Sequence, residues 1–364
     1  MLNAIMNNLL SAIGSRARDR AVTFGLSARE AAEQALDELA EESSLQNEPQ
    51  MLRQAISVLS GYGPLDPYLA DPSVEELWMN RPDELFIHVS GRTEKRPIDF
   101  SAEQQEIVID RMLRTIGRRI DRFTPFVDAP LPDGSRLHVV IPDVTRANLS
   151  FNIRRFTKVR SSLQTLCSEG ILSTNQLNEL RKAMISGETV LISGATAAGK
   201  TTFLCALLAE LPADERIVTV EDTFEIQLSN QDWVAMQTRS ESIEGAGSID
   251  LRRLIREALR MRPGRLVVGE VRGAEAIELL VALNSGIPAL CTVHANSARQ
   301  AITKMLTLPL LSGVSVPVEF VEQVIGSSVG YIAHCELGAD GTRRLRELLR
   351  VSQGSEGLVF EPID

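Results

Sequence analysis

One stretch constrains the chain more than any other: Gly194-Ala-Thr-Ala-Ala-Gly199-Lys200-Thr201-Thr202. It follows an apolar run over 189–193 and precedes a helix-like stretch over 203–210. Strand, glycine-bounded loop and helix form the setting that a phosphate-binding loop of the pattern GxxxxGK[ST] requires. Gly194 and Gly199 let the backbone curl. Successive N–H groups across Ala195, Thr196, Ala197 and Ala198 then point at phosphate oxygens, at the positive end of the helix. Lys200 adds a point charge for the β- and γ-phosphates, and the Thr201 hydroxyl, with Thr202 beside it, can ligate Mg²⁺. The stretch predicts a site for a nucleoside triphosphate.

A chain of 364 residues has room for two domains and a small extra module. Its apolar fraction of 44% and charged fraction of 24% are those of a soluble globular protein. The formal net charge of −10 argues against a surface built mainly to grip nucleic acid, and no direct nucleic-acid partner is expected. Cys167, Cys205, Cys291 and Cys335 lie far apart without a CxxC pair, and read as free thiols in a reducing cytosol. No apolar run approaches the ~20 residues of a membrane-spanning helix. Residues 1–15 lack the basic start of a signal peptide. The expectation is a cytoplasmic protein that meets a membrane only through partners.

Three regions follow from the patterning. Leu2, Ile5, Met6, Leu9, Leu10 and Ile13 recur at helical spacing, and Ser27-x-x-Glu30 opens a second helix. With a third candidate over 50–59 they predict an N-terminal helical module. Gly61-Tyr-Gly-Pro-Leu-Asp-Pro67 is punctuation. Beyond it, strand-like pieces at 76–79, 85–89, 136–141 and 149–156 surround a helix capped by Ser101-x-x-Gln104. That helix carries Ile109, Met112, Leu113, Ile116 and Ile120 on one face. This predicts a small α+β domain. After a polar linker at 157–162 come candidate strands at 189–193, 217–220, 266–269 and 289–293, with helices at 248–261, 274–283 and 298–306. Alternating strand and helix predicts an α/β, doubly wound parallel sheet with its ligand at the C-terminal strand ends.

Two of those strands end in acids, as Glu221-Asp222 and as Glu270 before Arg272. Hydrolysis needs one carboxylate to hold the Mg²⁺ shell and another to orient or activate the attacking water. Glu221 is the first choice to activate water and Glu270 to hold the Mg²⁺ shell, and the two roles could be exchanged. His294 lies just past a third strand and has two readings, a satisfied structural donor or a γ-phosphate sensor. His88, His138 and His334 read as structural.

Together GATAAGKTT (194–202), RIVTVED (216–222), ALRMRPGRLVVGEVRGAEA (258–276) and TVHANSAR (292–299) resemble the type II/type IV secretion ATPase superfamily. GYGPL (61–65), VDAPLPDGSR (127–136) and NIRRF (152–156) extend the resemblance upstream. Within the superfamily the chain is most similar to the CpaF-type ATPases of tight-adherence (Flp) pili, some of which share LPLL, here at 308–311.

The resemblance implies a RecA-like P-loop domain at 173–364, a linker at 157–172, a PAS-like small domain at 60–156 and the helical module at 1–59. It makes Glu221 and Asp222 the Asp box, closes the Walker B segment at Glu270, and puts His294 in the His box. It implies a homo-hexameric motor with ATP and Mg²⁺ as substrate and cofactor, Mg²⁺ being held by Thr201 and, through water, by Glu270. The motor would act on inner-membrane platform proteins of a pilus or secretion machine. Arg136 and Arg154 would bring charge to the phosphates, and Arg272 and His294 would couple the γ-phosphate to domain motion. Three departures stand out. Pro130 replaces a usual arginine, Ala197 and Ala198 replace Gly and Ser, and Gly286-Ile-Pro-Ala replaces Gly-His-Asp-Gly. Alternatives are the ATPase of a DNA-transferring type IV secretion system and a P-loop small-molecule kinase.

Overall fold

In the computed structural model the structure describes residues 61–89, 91–155, 162–239, 241, 247–338, 340–355 and 357–364, with Gln34. The helices expected within 1–59 and the linker segment 157–161 lie outside these. The chain divides after Arg155 into two units.

The first unit runs α1 (Asp66–Ala70), β1 (Val74–Met79), β2 (Glu84–Val89), β3 (Arg92–Pro97), α2 (Ala102–Thr115), β4 (Phe126–Pro130), β5 (Arg136–Val140) and β6 (Ser150–Arg154). The strands form an antiparallel sheet in the order β3-β2-β1-β6-β5-β4. Alternation decides its faces. Leu77, Met79, Leu85, Ile87, Val127, Ala129, Leu137, Val139, Phe151 and Ile153 share a core with Val108, Ile109, Met112 and Leu113 of α2. The helix starts as expected, on a reciprocal cap between Ser101 and Gln104. It stops at Thr115, so Ile116 and Ile120 of the expected face lie beyond it and pack on the same core only partly buried. The alternate residues stay at the surface. Register aligns Pro130, Arg136, Arg154 and Glu76 across four neighbouring strands.

The second unit runs α3 (Leu163–Ser168), α4 (Thr174–Ile185), β7 (Thr189–Gly194), α5 (Lys200–Leu208), β8 (Ile217–Glu221), β9 (Trp233–Gln237), α6 (Leu251–Ala258), β10 (Arg265–Val271) and α7 (Ala276–Asn284). It continues with β11 (Ala289–Val293), α8 (Ala298–Thr307), α9 (Val318–Ser328), β12 (Val329–Leu337), β13 (Arg343–Gly354) and β14 (Gly357–Pro362). The sheet order is β14-β13-β12-β7-β11-β10-β8-β9. Helices cover both faces. Val190 and Ile192 of β7 pack with α3, α4 and α5, while Leu191 packs with α6, α7, α8 and α9.

The all-parallel expectation needs correction. β12 extends the parallel set beside β7, but β13 and β14 return antiparallel. A hairpin needs only a tight turn, so an antiparallel edge can be added without another crossover helix. The helix expected over 248–261 is α6 alone, with Asp250 as its N-cap and a 3-10 turn over Leu259–Met261.

Candidate active site

The order β7-β11-β10-β8 brings four strand ends side by side. They carry the 194–202 loop, His294, Glu270 and Glu221, so these expected residues of the second unit converge on one crevice.

The loop is shaped from both ends. β7 is buried throughout, and its last residue, Gly194, leaves the sheet against β12. A Cβ at Gly194 would lie 2.5 Å from the Cys335 backbone oxygen, so no side chain fits. Gly199, at φ 88°, turns the chain into α5 in the left-handed region that glycine adopts without strain. Phe203, Leu204, Leu207 and Leu208 bury the far side of α5 and hold that start in place. The strain expected from alanine falls on Ala197, at φ 63°. A left-handed conformation costs an alanine about 1–2 kcal/mol. Ala198 instead sinks its methyl into the core shared with Phe203.

Lys200 Nζ donates to the carbonyls of Gly194 at 3.0 Å and Ala195 at 2.9 Å, so its ammonium curls over the loop. Arg343, at the start of β13, donates from Nε to the Ala197 carbonyl at 3.1 Å. Thr201 Oγ1 donates to Glu225 Oε2 at 3.0 Å.

Glu225 is the acid that residue patterning missed. Glu221 closes β8 only 2% exposed, and its Oε2 accepts the N–H groups of Glu225 at 2.8 Å and Ile226 at 2.9 Å. The turn over 222–226 thus folds round Glu221 and returns Glu225 to Thr201. Glu221 Oε1 has no partner among the described residues. Burial raises the Glu221 carboxyl to about 7, against the pull of the two amides. The available signal was a third acid four residues after Glu221. Only the folded turn shows which acid reaches the threonine.

Just past β10, Arg272 donates to Glu270 Oε2 at 2.8 Å and pairs with Asp222 at 3.4 Å, linking the ends of β10 and β8. Burial pushes the Glu270 carboxyl up, but Arg272, Lys200 and His294 outweigh it and leave it below its ordinary value. The imidazole of His294 therefore lies within the field of Glu270, while its backbone oxygen accepts from Lys304. Thr292 Oγ1 bonds the Gly269 carbonyl at 2.7 Å and ties β11 to β10.

Behind the loop, Ser193 Oγ and His334 Nδ1 lie 2.9 Å apart, both buried, so His334 is a satisfied structural group as expected. Glu347, opposite His334 in register, accepts from the first amide of α8, and Ser297 caps the same helix. Glu275 takes the amides of Arg272 and Gly273 just before α7. Among the described residues no side chain caps α5. All four cysteines are free.

Arg136 and Arg154 belong to the first unit. Arg136 forms a two-point ion pair with Asp128, Nε to Oδ1 at 2.7 Å and Nη2 to Oδ2. Arg154 is exposed at the end of β6, directly opposite Arg136.

Residues 59–356 match the family model described as type II/IV secretion system protein. A Mycobacterium tuberculosis protein, named provisionally as a conjugal transfer protein, is 32% identical over 83% of this chain and 88% of its own length. The type IV secretion system protein VirB11 of Bartonella henselae is 30% identical over 69% of this chain and 80% of its own. The X-ray structure of the Legionella pneumophila ATPase DotB shares the fold, with a TM-score of 0.55 at 20% identity over 77% of each chain. A strand-ended phosphate loop, facing acids and these matches agree: the chain is an ATPase and belongs to the type II/IV secretion system protein family.

Proposed function

We propose that this ATPase is the motor of a type IV secretion machine of the conjugation class. It would act from the cytoplasm as a hexameric ring on inner-membrane platform proteins, with 60–156 as its small domain and 173–364 as its motor domain. The contact between Thr201 and Glu225 carries the reading, because it joins the phosphate loop to the acids across the crevice. The names of the relatives favour conjugation over the tight-adherence pilus. The pilus remains the second reading, favoured by the LPLL run, where Leu310 and Leu311 are exposed.

The amides of 195–200 and Lys200 bind the triphosphate. Hydroxyl and carboxylate oxygens are the hard donors that Mg²⁺ takes, and the crevice supplies both on Thr201, Glu225 and Glu270; Thr201, with Glu270 through water, would hold the ion. Bound Mg²⁺ screens the phosphate charge. Glu225 reaches the loop mouth and accepts the proton of the attacking water. Its contact with Thr201 supports this, while burial and two amide bonds support a positioning role for Glu221. Arg272, held by Glu270 and Asp222, and His294 relay the state of the γ-phosphate. Arg136 and Arg154 add positive charge for the transition state.

The test is ATP hydrolysis and oligomer mass, measured together on the wild type, Glu225→Gln and Glu221→Gln. A hexamer that turns over is expected, with turnover lost and ATP binding kept in Glu225→Gln, and a larger share of turnover kept in Glu221→Gln. A monomer that binds ATP and never releases phosphate would sink the motor. In the native host, deletion should abolish plasmid transfer under the first reading and piliation under the second.

A further inference from the structure

The alanine-rich loop has a counterpart near the other end of the chain. Ala198 N–H bonds the Ala195 carbonyl at 3.3 Å, which closes a turn over 195–198 with Ala197 at its third position. Ala197 has φ 63°, whereas Thr196 is not among the residues with positive φ. Such a type II turn needs φ > 0 at that position and normally takes glycine there. Alanine prefers the right-handed basin, so the turn needs an external hold.

Arg343 is placed to supply it. β12 lies against Gly194, and β13 starts opposite Leu337, at the far end of β12. That register brings Arg343 to the outside of the loop. Its Nε takes the Ala197 carbonyl, and its Cδ lies 3.2 Å from where a Gly199 Cβ would stand. The stem thus packs along Gly199 while the head holds Ala197. The peptide between Ala197 and Ala198 is pinned twice, its oxygen by Arg343 and its N–H by Ala195. A planar peptide fixed at both ends cannot rotate, and Ala197 cannot relax out of the left-handed region.

We infer that Arg343 is a positioning residue for ATP binding, clamping the left-handed turn at Ala197 that a glycine would adopt unaided. The inference rests on reading 194–202 as the ATP loop. Losing the clamp lowers the fraction of loops in the binding conformation, and apparent affinity falls by that fraction.

A double-mutant cycle in the full-length protein tests this. Arg343→Ala should raise KM for ATP about fivefold, the worth of one hydrogen bond, and leave kcat within about twofold. Arg343→Lys, which keeps a donor, should recover part of the loss. In an Ala197→Gly background, Arg343→Ala should shift KM less than about twofold, because glycine needs no hold. The same pattern should appear in amide exchange of a nucleotide-free peptide spanning 194–200, faster in Arg343→Ala and less affected once residue 197 is glycine. Equal penalties in both backgrounds, or unchanged exchange in Arg343→Ala, would overturn the inference. A wild type that binds no ATP would instead overturn the functional reading, and exchange would still decide the clamp.

Discussion

In the second sheet β7, β8 and β11 are buried at every residue, whereas in the first β4 and β5 alternate between core and surface. A strand covered on both faces can offer polar groups only where it ends. The candidate site's polar groups therefore crowd the tips of four strands, where Lys200, His294, Glu270 and Glu221 meet loops. A half-covered sheet offers side chains along its length, and the first unit presents Arg136 and Arg154 as neighbours in one cross-strand row. The buried sheet builds a point, and the half-open sheet builds a line.

The sharpest way to break this contrast is at the point. Lys200→Ala should cut ATP hydrolysis by at least about 100-fold, as loss of a charge aimed at the transition state does, with an unchanged melting curve. A large melting shift would mean that Lys200 braces the fold. Gly194→Ala comes next. Its methyl would meet a backbone oxygen that cannot swing away, and overpacking of this kind costs about 1–3 kcal/mol. Thermal or urea unfolding would show it; wild-type stability would mean that β12 yields there.

Glu221 offers a test that reads pH. Its carboxyl holds its proton to about 7 in the fold, against an ordinary 4.5 in the unfolded chain. The fold binds the extra proton, so stability falls as pH rises from about 4.5 to about 7, and the full penalty stands above that. Relative to Glu221→Gln, the wild type should lose roughly 2–3 kcal/mol between pH 5 and pH 8 in urea unfolding. Parallel profiles would refute the buried charge. The smallest effect belongs to the line. Arg136→Ala should change stability by less than about 1 kcal/mol, since its pair with Asp128 is surface-exposed. A fall in turnover at that unchanged stability would assign the row to the motor cycle, and unchanged turnover would leave it a surface feature.

Much of the buried sheet was legible from residue order, because β7, β8 and β10 are apolar runs that stop at a glycine or an acid and β11 is one that stops at His294. The capped helix α2 was legible for a similar local reason. β3 was not: Arg-Thr-Glu-Lys-Arg-Pro has no apolar residue, and it is a strand only because β2 supplies its partner. β13 was hidden differently. Leu345, Leu348 and Leu349 stand at helical spacing, yet sheet pairing with β12 prevails, and an extra residue at Arg346 shifts the register. In the site, the loop and Glu270 could be read directly from their motifs. Glu225 depends on how a turn closes on Glu221, and Arg343 meets Ala197 across 146 residues. Contacts made by tertiary closure leave no local pattern.

The way the helices begin has a consequence for what the crevice can hold. After β11, Ser297 and Glu347 take the first amides of α8, while among the described residues no side chain caps α5 after β7. Each helix start carries about half a positive charge and is a natural berth for an anion. By mooring Glu347 at the α8 berth, the protein leaves the α5 start as the open one of these two. Under the proposed reading, nucleotide and released phosphate would share that berth, and each turnover would clear it before the next begins.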